Sequence, residues 1–225
     1  MRLEPKEPKP ITPTIDDIKR EYKSSVPDGH LTRGMERILS DGYLIDARDA
    51  NGKREVLDSI MLVGDAALGV SRVCGVDGST ETVRISILPI GEHAGDVAER
   101  QSSSTLFSIS PGDLNTKVRD NGAIQAWEDI VIGREAIAEK TGSADMEISR
   151  SHLVVRIRSN GSTKVVDSST NGTTVITETD LMRDKGSGGL SDTTRHLIAE
   201  FIKPLAESPW AWRESYADQR VVSPY

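Results

Sequence analysis

The sequence contains a single cysteine, Cys74, among its 225 residues. One thiol cannot form an intrachain disulfide, and a cysteine-rich metal site is excluded as well. The four histidines are scattered without the spacing typical of metal ligands, so we expect neither a bound metal nor another cofactor. Cysteine usage of this kind suits a reducing compartment.

Long hydrophobic runs and an excess of positive charge are also missing. The longest apolar stretch, Ile60 to Val76, contains Asp65, Ser71 and Arg72, and is too short and too polar to span a bilayer. No apolar segment follows Met1 to Lys6, so we expect no secretory signal. The formal net charge of -7 argues against general binding of nucleic acid or acidic membranes, which needs a cationic surface. We therefore expect a soluble, cytoplasmic protein without nucleic-acid or membrane partners.

The composition divides the chain into three parts. Residues 1–41 begin with a charged, proline-rich tail, which predicts disorder, and continue with short helices. Residues 42–180 carry strand patterns. Residues 181–225 comprise a Gly-rich linker, an amphipathic helix and a tail that contains Trp210 and Trp212. Because aromatic residues make up only 4% of the chain, two tryptophans this close favour a tail that folds onto the domain.

Helices are predicted on both sides of the strand-rich region. Apolar residues at helical spacing from Ile15 to Ser24, behind the N-cap residue Thr14, predict a short helix. A second helix is predicted over Leu31 to Leu39. Ser191 is the predicted N-cap of a third helix. Its apolar stripe, which we expect to pack against the sheet, consists of Leu197, Ile198, Phe201, Ile202 and Leu205.

Strand signals dominate the middle of the chain. Three Asn-Gly dipeptides, at residues 51–52, 121–122 and 160–161, separate runs rich in β-branched residues. Asn-Gly tolerates the positive φ angles of a type I′ turn, so each dipeptide predicts a β-hairpin. Alternating patterns from Val83 to Leu88 and from Thr105 to Ile109 predict further strands. The predicted fold class is mostly β, an antiparallel β-sandwich with flanking N- and C-terminal helices.

Three short motifs follow one another between Val131 and Thr174. They are Ile132-Gly133-Arg134, then Ile148-Ser149-Arg150-Ser151-His152, then Ser168-Ser169-Thr170-Asn171-Gly172-Thr173. A guanidinium offers a planar fork to phosphate oxygens, hydroxyls add donors, and an Asn amide can hold a neighbouring peptide backbone. Together the motifs predict a pocket for a phosphate group.

In this order the motifs resemble the signature of the forkhead-associated domain, which is G-R, then S-x-x-H, then S-T-N-G-T. Domains of this family are β-sandwiches that bind phosphothreonine peptides on loops at one end. The resemblance implies that Arg134 and Ser149 bind the phosphate directly, with Thr170 beside them. It further implies a polar contact from Arg150 and a hydrogen bond from Asn171 to the peptide backbone.

The resemblance also implies residues that support the site and shows where this chain departs from the family. His152 would brace the loops, and Gly133 and Gly172 would permit the backbone turns. The family continues past its N-G-T with two closing strands, whereas residues 177–194 here are polar and Gly-rich, then helical. One alternative is therefore a sandwich rebuilt with strands from residues 42–125.

The function implied is that of a non-enzymatic signalling adaptor engaged in protein–protein interaction. Its partner would be a phosphothreonine-containing protein, such as a Ser/Thr kinase or a kinase substrate. Ser149 and His152 do not indicate a hydrolase, because no nucleophile elbow surrounds the serine and no carboxylate is marked as a third member. The alternative is a degenerate domain of the same fold that acts as a structural or oligomerisation module without phosphate dependence.

The N-terminal tail offers a second possible ligand. Thr12 and Thr14 are candidate phosphorylation sites, and the chain's own phosphorylated tail is a possible partner of the pocket. Phosphate on Thr14 would also place negative charge at a helix start, where the macrodipole favours it. The simpler interpretation, which we favour, is that Thr14 only caps the helix.

Overall fold

The computed structural model describes residues 13–48, 52–90, 104–116, 127–183 and 189–207. Within these ranges, strands form two antiparallel sheets and helices cover the outer face of the larger sheet. The predicted fold class, a mostly β protein with an antiparallel sandwich and flanking helices, is confirmed. The first twelve residues, with Thr12, and the tail with Trp210 and Trp212 lie outside the described residues.

The larger sheet has seven strands in the order β1-β11-β4-β5-β6-β7, and β3 also pairs with β4. These strands are β1 (His30–Leu31), β3 (Ile45–Arg48), β4 (Arg54–Val63), β5 (Ala66–Cys74), β6 (Thr80–Ile87), β7 (Thr105–Ile109) and β11 (Thr173–Thr177). Strand β4, which precedes the three motifs in the chain, pairs with β11, and β5, β6 and β7 follow it in the sheet. Strands from residues 42–125 thus complete this sheet, as in the alternative given above.

The smaller sheet has the order β2-β10-β9-β8. Its strands are β2 (Glu36–Ile38), β8 (Trp127–Ile132), β9 (Leu153–Arg158) and β10 (Thr163–Asp167). The helices are α1 (Ile15–Ser25), α2 (Arg134–Thr141), α3 (Glu178–Met182) and α4 (Asp192–Glu207), and short 3₁₀ turns cover Pro27–Gly29 and Pro111–Thr116.

Two apolar cores lie on opposite faces of the larger sheet. Met61 and Val63 of β4 face the smaller sheet, while the alternate residues Ile60 and Leu62 face the helices. A central strand that is buried on both faces has a nearly continuous apolar sequence. This explains the long apolar run seen in the sequence, which forms the β4–β5 hairpin. On the helical side, α1 and α4 contribute Ile18, Tyr22, Ile198, Phe201 and Leu205 to the core.

Most of the local predictions are confirmed. The hairpins around residues 51–52 and 160–161 form as β3–β4 and β9–β10, with positive φ at both turn glycines. The hairpin around residues 121–122 lies outside the described residues, which resume at Trp127. The strands predicted at 83–88 and 105–109 correspond to β6 and β7. Helices α1 and α4 form behind Thr14 and Ser191, whose hydroxyl oxygens accept backbone N–H groups.

The helix predicted over Leu31 to Leu39 is wrong. Leu31 pairs with Thr173 in β1, and Ile38 pairs with Lys164 in β2. Both leucines are buried in the core between the sheets. Their helix-like spacing therefore reflects two short strands, one in each sheet, whose hydrogen bonds come from β11 and β10 and not from neighbours along the chain.

Among the described residues, no helix is long and apolar enough to cross a membrane.

Candidate phosphate-binding loops

The three sequence motifs meet at one end of the sandwich. Antiparallel pairing of Ile132 with Leu153 brings the end of β8 to the start of β9, and Asp167 at the end of β10 also pairs with Leu153. The backbone N–H of Arg134 donates to the carbonyl of Ser149 at 3.1 Å. The backbone N–H of Thr170 donates to the hydroxyl of the same serine at 3.2 Å. Ser149 therefore joins the first and third motifs directly.

Gly133 allows the first motif to lie directly on the second. It is the N-cap residue of α2, with extended backbone angles that any residue adopts. A Cβ at this position would overlap the carbonyl group of Arg150. The glycine is therefore required because two backbone segments approach closely here. This approach determines the position of the Arg134 backbone.

Backbone carbonyls, and no carboxylate among the described residues, hold the side chain of Arg134. Its Nε donates to the carbonyl of Ile148 at 2.8 Å, and one terminal nitrogen donates to the carbonyl of Met146 at 3.3 Å. The other terminal nitrogen lies 3.3 Å from the Met146 sulfur. By contrast, Arg156 forms a two-pronged pair with Asp129 at 2.7 Å for each bond. Carbonyl oxygens orient a guanidinium but leave its charge uncompensated.

The neutral donors predicted for the site lie on adjacent loops. Ser149 accepts a bond on its hydroxyl oxygen, so its own hydrogen is available to donate. The side chain of Thr170 is exposed and has no hydrogen-bond partner within the described ranges. Asn171 is exposed, and its amide nitrogen donates to the carbonyl of Glu147 at 3.0 Å. Arg150 is exposed on the same loop as Ser149.

His152 is fully buried and connects two of the loops. Its Nδ1 accepts the backbone N–H of Ser149 and its Nε2 donates to the carbonyl of Gly172, both at 3.1 Å. Burial lowers the pKa of this imidazole, although the hydrogen bond to Gly172 raises it. The ring is therefore neutral and acts as a brace between the S-x-x-H loop and the N-G-T loop.

The N-G-T loop depends on Gly172, which the motif analysis singled out, and on Asp167, which it did not. Gly172 has φ of +85°, and a Cβ there would come within 2.6 Å of the carbonyl oxygen of Leu31. Asp167 is buried and accepts bonds from the backbone N–H and hydroxyl of Ser169 and from the hydroxyl of Thr173. The Asp-x-Ser spacing of an Asx turn is the signal that could have identified Asp167. No sequence signal could have identified Met146 and Glu147. Their backbone carbonyls accept the hydrogen bonds from Arg134 and Asn171, and every residue has such a carbonyl.

The arrangement of Ser149 and His152 differs from that of a nucleophile and its base. The imidazole accepts the serine backbone N–H, while the serine hydroxyl oxygen accepts from Thr170. General-base activation requires a hydrogen bond between the hydroxyl and the ring. In the parts of the chain that the structure describes, no three His, Cys, Asp or Glu side chains are grouped to hold a metal ion.

Comparison of the chain with protein-family models, with curated proteins and with solved structures finds no match. The forkhead-associated resemblance and the site residues that it implies therefore stay predictions based on the three motifs.

Proposed function

We propose that this protein is a non-enzymatic signalling adaptor that binds phosphothreonine-containing peptides on the loops that carry the three motifs. The proposal rests on one observation. Arg134 at the start of α2 and Ser149 and Thr170 on two loops are held next to one another, because the backbone N–H groups of Arg134 and Thr170 donate to the carbonyl and hydroxyl of Ser149 at 3.1 and 3.2 Å. Phosphopeptide recognition by loops on a rigid scaffold is an established binding mode.

The electrostatics of the loops support a phosphate ligand. A phosphorylated threonine carries about −1.5 to −2 charges at neutral pH and three strong acceptor oxygens. Arg134 supplies a positive charge that no described carboxylate neutralises, and the hydroxyls of Ser149 and Thr170 supply uncharged donors. Such a local site does not require a basic surface, so it is compatible with the formal net charge of -7.

The neighbouring residues suit a peptide more than a free anion. The side-chain amide of Asn171 donates one hydrogen bond, to the carbonyl of Glu147. Its oxygen and its second N–H can therefore bind a peptide backbone. Arg150 lies exposed beside the site as a second cation. The partner would then be a phosphorylated Ser/Thr kinase, one of its substrates, or the chain's own phosphorylated tail.

A second candidate function is a structural module of the same fold without phosphate dependence. It is favoured by the bonds that Arg134 makes to the carbonyls of Ile148 and Met146, because a guanidinium can serve as a loop brace alone. The two candidates differ in whether any ligand binding depends on phosphate.

A phosphothreonine peptide library, compared with its dephosphorylated copy, tests the proposal. We expect capture of phosphorylated peptides only, and a loss of affinity on the order of 10- to 100-fold for Arg134→Ala, as for charge-assisted hydrogen bonds. Arg158→Ala is the matched control, since Arg158 is exposed at the end of β9, away from the loops. Equal capture of both libraries would contradict the proposal, and self-association without phosphate dependence would favour the second candidate.

A separate arm tests the tail as a ligand. Kinase-treated wild-type protein should compact or self-associate if its own phosphothreonine occupies the loops, and kinase-treated Arg134→Ala should not. Identical behaviour of the two proteins would exclude the tail as the partner.

A further inference from the structure

A groove leads from the candidate site toward helix α1. It consists of two adjoining cavities of about 170 and 210 Å³ that share Asp16, Gly64 and Glu147 in their walls. Asn171 and Gly172 also line the smaller cavity. The groove therefore begins at the residue that would hold the backbone of a bound peptide.

The lining of the groove is predominantly acidic. Its carboxylates belong to Asp16, Asp65, Asp145 and Glu147. Among the described residues of the lining, the lysine is Lys19, which donates to the carbonyl of Gly64 and lies 4.0 Å from Asp16, so its charge is partly compensated. His30 is the other basic group among these described lining residues, and burial, with help from Lys23 and Lys19, lowers its pKa. At neutral pH the described lining residues carry a net negative charge.

Hydrogen bonds hold Glu147 in a definite position relative to Asn171. The carbonyl of Glu147 accepts the Asn171 amide at 3.0 Å, and its backbone N–H donates to Asp145 at 2.8 Å. Asp145 in turn accepts the backbone N–H of Asp65 at 3.1 Å. The side chain of Glu147 is exposed and lines both cavities. A peptide held by Asn171 would therefore pass within reach of the Glu147 carboxylate.

We infer that this groove selects a lysine or arginine side chain near the phosphothreonine, and that Glu147 is the specificity-determining residue. The inference rests on the proposed function. An extended peptide advances about 3.3–3.6 Å per residue, so only a residue a few positions from the one at Asn171 can enter the groove. The long stem of Lys or Arg can lie along the groove while its charged end meets the carboxylates.

The arrangement of the carboxylates in the groove favours an organic cation over a metal ion. Within the described residues the carboxylates are not grouped as metal ligands. An ammonium or guanidinium needs only carboxylate oxygens within about 4 Å and no closed coordination shell. The same acidic lining would repel a Glu or Asp at the corresponding peptide position.

Peptide scanning tests the inference. A phosphothreonine peptide with alanine flanks is compared with peptides that carry a single Lys or a single Glu at each flanking position. We expect one position at which Lys binds about three- to tenfold more tightly than Glu, because attraction of Lys by an exposed charge is worth up to about fivefold and repulsion of Glu adds a similar factor. The ratio should shrink at high ionic strength, because salt screens exposed charges.

Two variants assign the preference to Glu147. Glu147→Lys should abolish the preference for Lys, because it adds a positive charge beside Asn171, and Glu147→Gln, a smaller change, should reduce the ratio. Glu207→Lys, the matched control, makes the same charge change at the exposed end of α4 and should leave the preference intact.

The outcomes separate this inference from the proposed function. The alanine-flanked phosphopeptide reports on the phosphate site alone, so its failure to bind would overturn the proposed function and the inference with it. If that peptide binds but no position prefers Lys, or if Glu147→Lys leaves the preference unchanged, the inference is overturned while phosphothreonine binding stands.

Discussion

The Nδ1 atom of His152 accepts the backbone N–H of Ser149 at 3.1 Å. This bond requires a lone pair on Nδ1, so the ring proton resides on Nε2, where it is donated to the carbonyl of Gly172. The position of Ser149 therefore depends on the protonation state of a buried imidazole. A proton added to Nδ1 would replace an attractive contact with a clash between two donors.

The contribution of this imidazole to stability should fall on mild acidification, while Asp58, whose pKa burial raises to about 6, contributes with the opposite sign. Burial lowers the pKa of His152 in the folded state, while the unfolded chain titrates near the ordinary value of about 6.5. The stabilising contribution is thus complete above about pH 6.5 and is lost as the pH drops toward the lower folded-state value. The slope reaches at most about 1.4 kcal/mol per pH unit for one proton. Urea unfolding at a series of pH values between about 7.5 and 5 measures how the free energy of unfolding depends on pH.

The second histidine with a lowered pKa, His30, contributes with the same sign. His30→Gln removes that contribution and leaves the effect of His152. His152→Gln should be less stable at neutral pH and should show a shallower pH dependence. A slope in His152→Gln equal to that of the wild type would contradict the prediction.

Replacing Gly133 with alanine should destabilise the fold and weaken phosphopeptide binding together. The new Cβ would overlap the Arg150 carbonyl, and the first motif would have to move away from the second. Overpacking of this kind costs about 1–3 kcal/mol. Gly112→Ala is the control, since nothing lies within 4 Å of a Cβ there. Chemical denaturation measures the free energy of unfolding of both variants. Equal values would contradict the prediction, because they would show that the first and second motifs can move apart without loss of stability.

Replacing Arg134 with lysine should not preserve binding. The guanidinium donates to the carbonyls of Ile148 and Met146 and still has N–H groups for a phosphate. An ammonium lacks this planar fork and cannot reproduce both sets of bonds from one position. We expect about a tenfold loss of phosphopeptide affinity, measured by fluorescence polarisation. Affinity equal to that of the wild type would mean that charge alone is sufficient.

Replacing Thr14 with alanine should destabilise helix α1. The hydroxyl of Thr14 accepts the backbone N–H of Asp17 at 3.2 Å and donates to its carboxylate at 2.8 Å. Loss of such a cap costs about 0.5–2 kcal/mol. Thr14→Ser keeps the hydroxyl and should be nearly as stable as the wild type. Thermal unfolding measures both variants, and a similar loss in each would point to the threonine methyl group instead.

Replacing Asp180 with asparagine should be far more costly than replacing Tyr22 with phenylalanine. Asp180 is fully buried and accepts bonds from Tyr22, Arg37 and Thr177, which joins α1, β2 and β11. Without its carboxylate the Arg37 charge is left unpaired in the interior, a change that costs about 3–5 kcal/mol. Tyr22→Phe removes one hydrogen bond, worth about 1 kcal/mol. Urea denaturation gives both values, and the reverse order would contradict the assignment of Asp180 as the central acceptor.

Local sequence signals predicted much of the fold and identified the motifs that the structure brings together. The hairpin at Asn160-Gly161 and the capped helix behind Thr14 depend on φ preferences and hydrogen bonds within a few residues. The three motifs identified loops that the structure brings together. The β1 and β2 strands were not predictable in this way, because their partners, β11 and β10, lie more than a hundred residues further along the chain.

The sequence by itself determined which chemical groups are present, namely a guanidinium, hydroxyls and an amide on three turn-forming segments. Only the tertiary structure decided that Arg134 is oriented by the carbonyls of Met146 and Ile148, and that Glu147 connects Asn171 to an acidic groove. The reason is physical. Every residue has a backbone carbonyl, so the sequence does not reveal which one accepts a bond, and that choice depends on how strands pair and how closely loops approach.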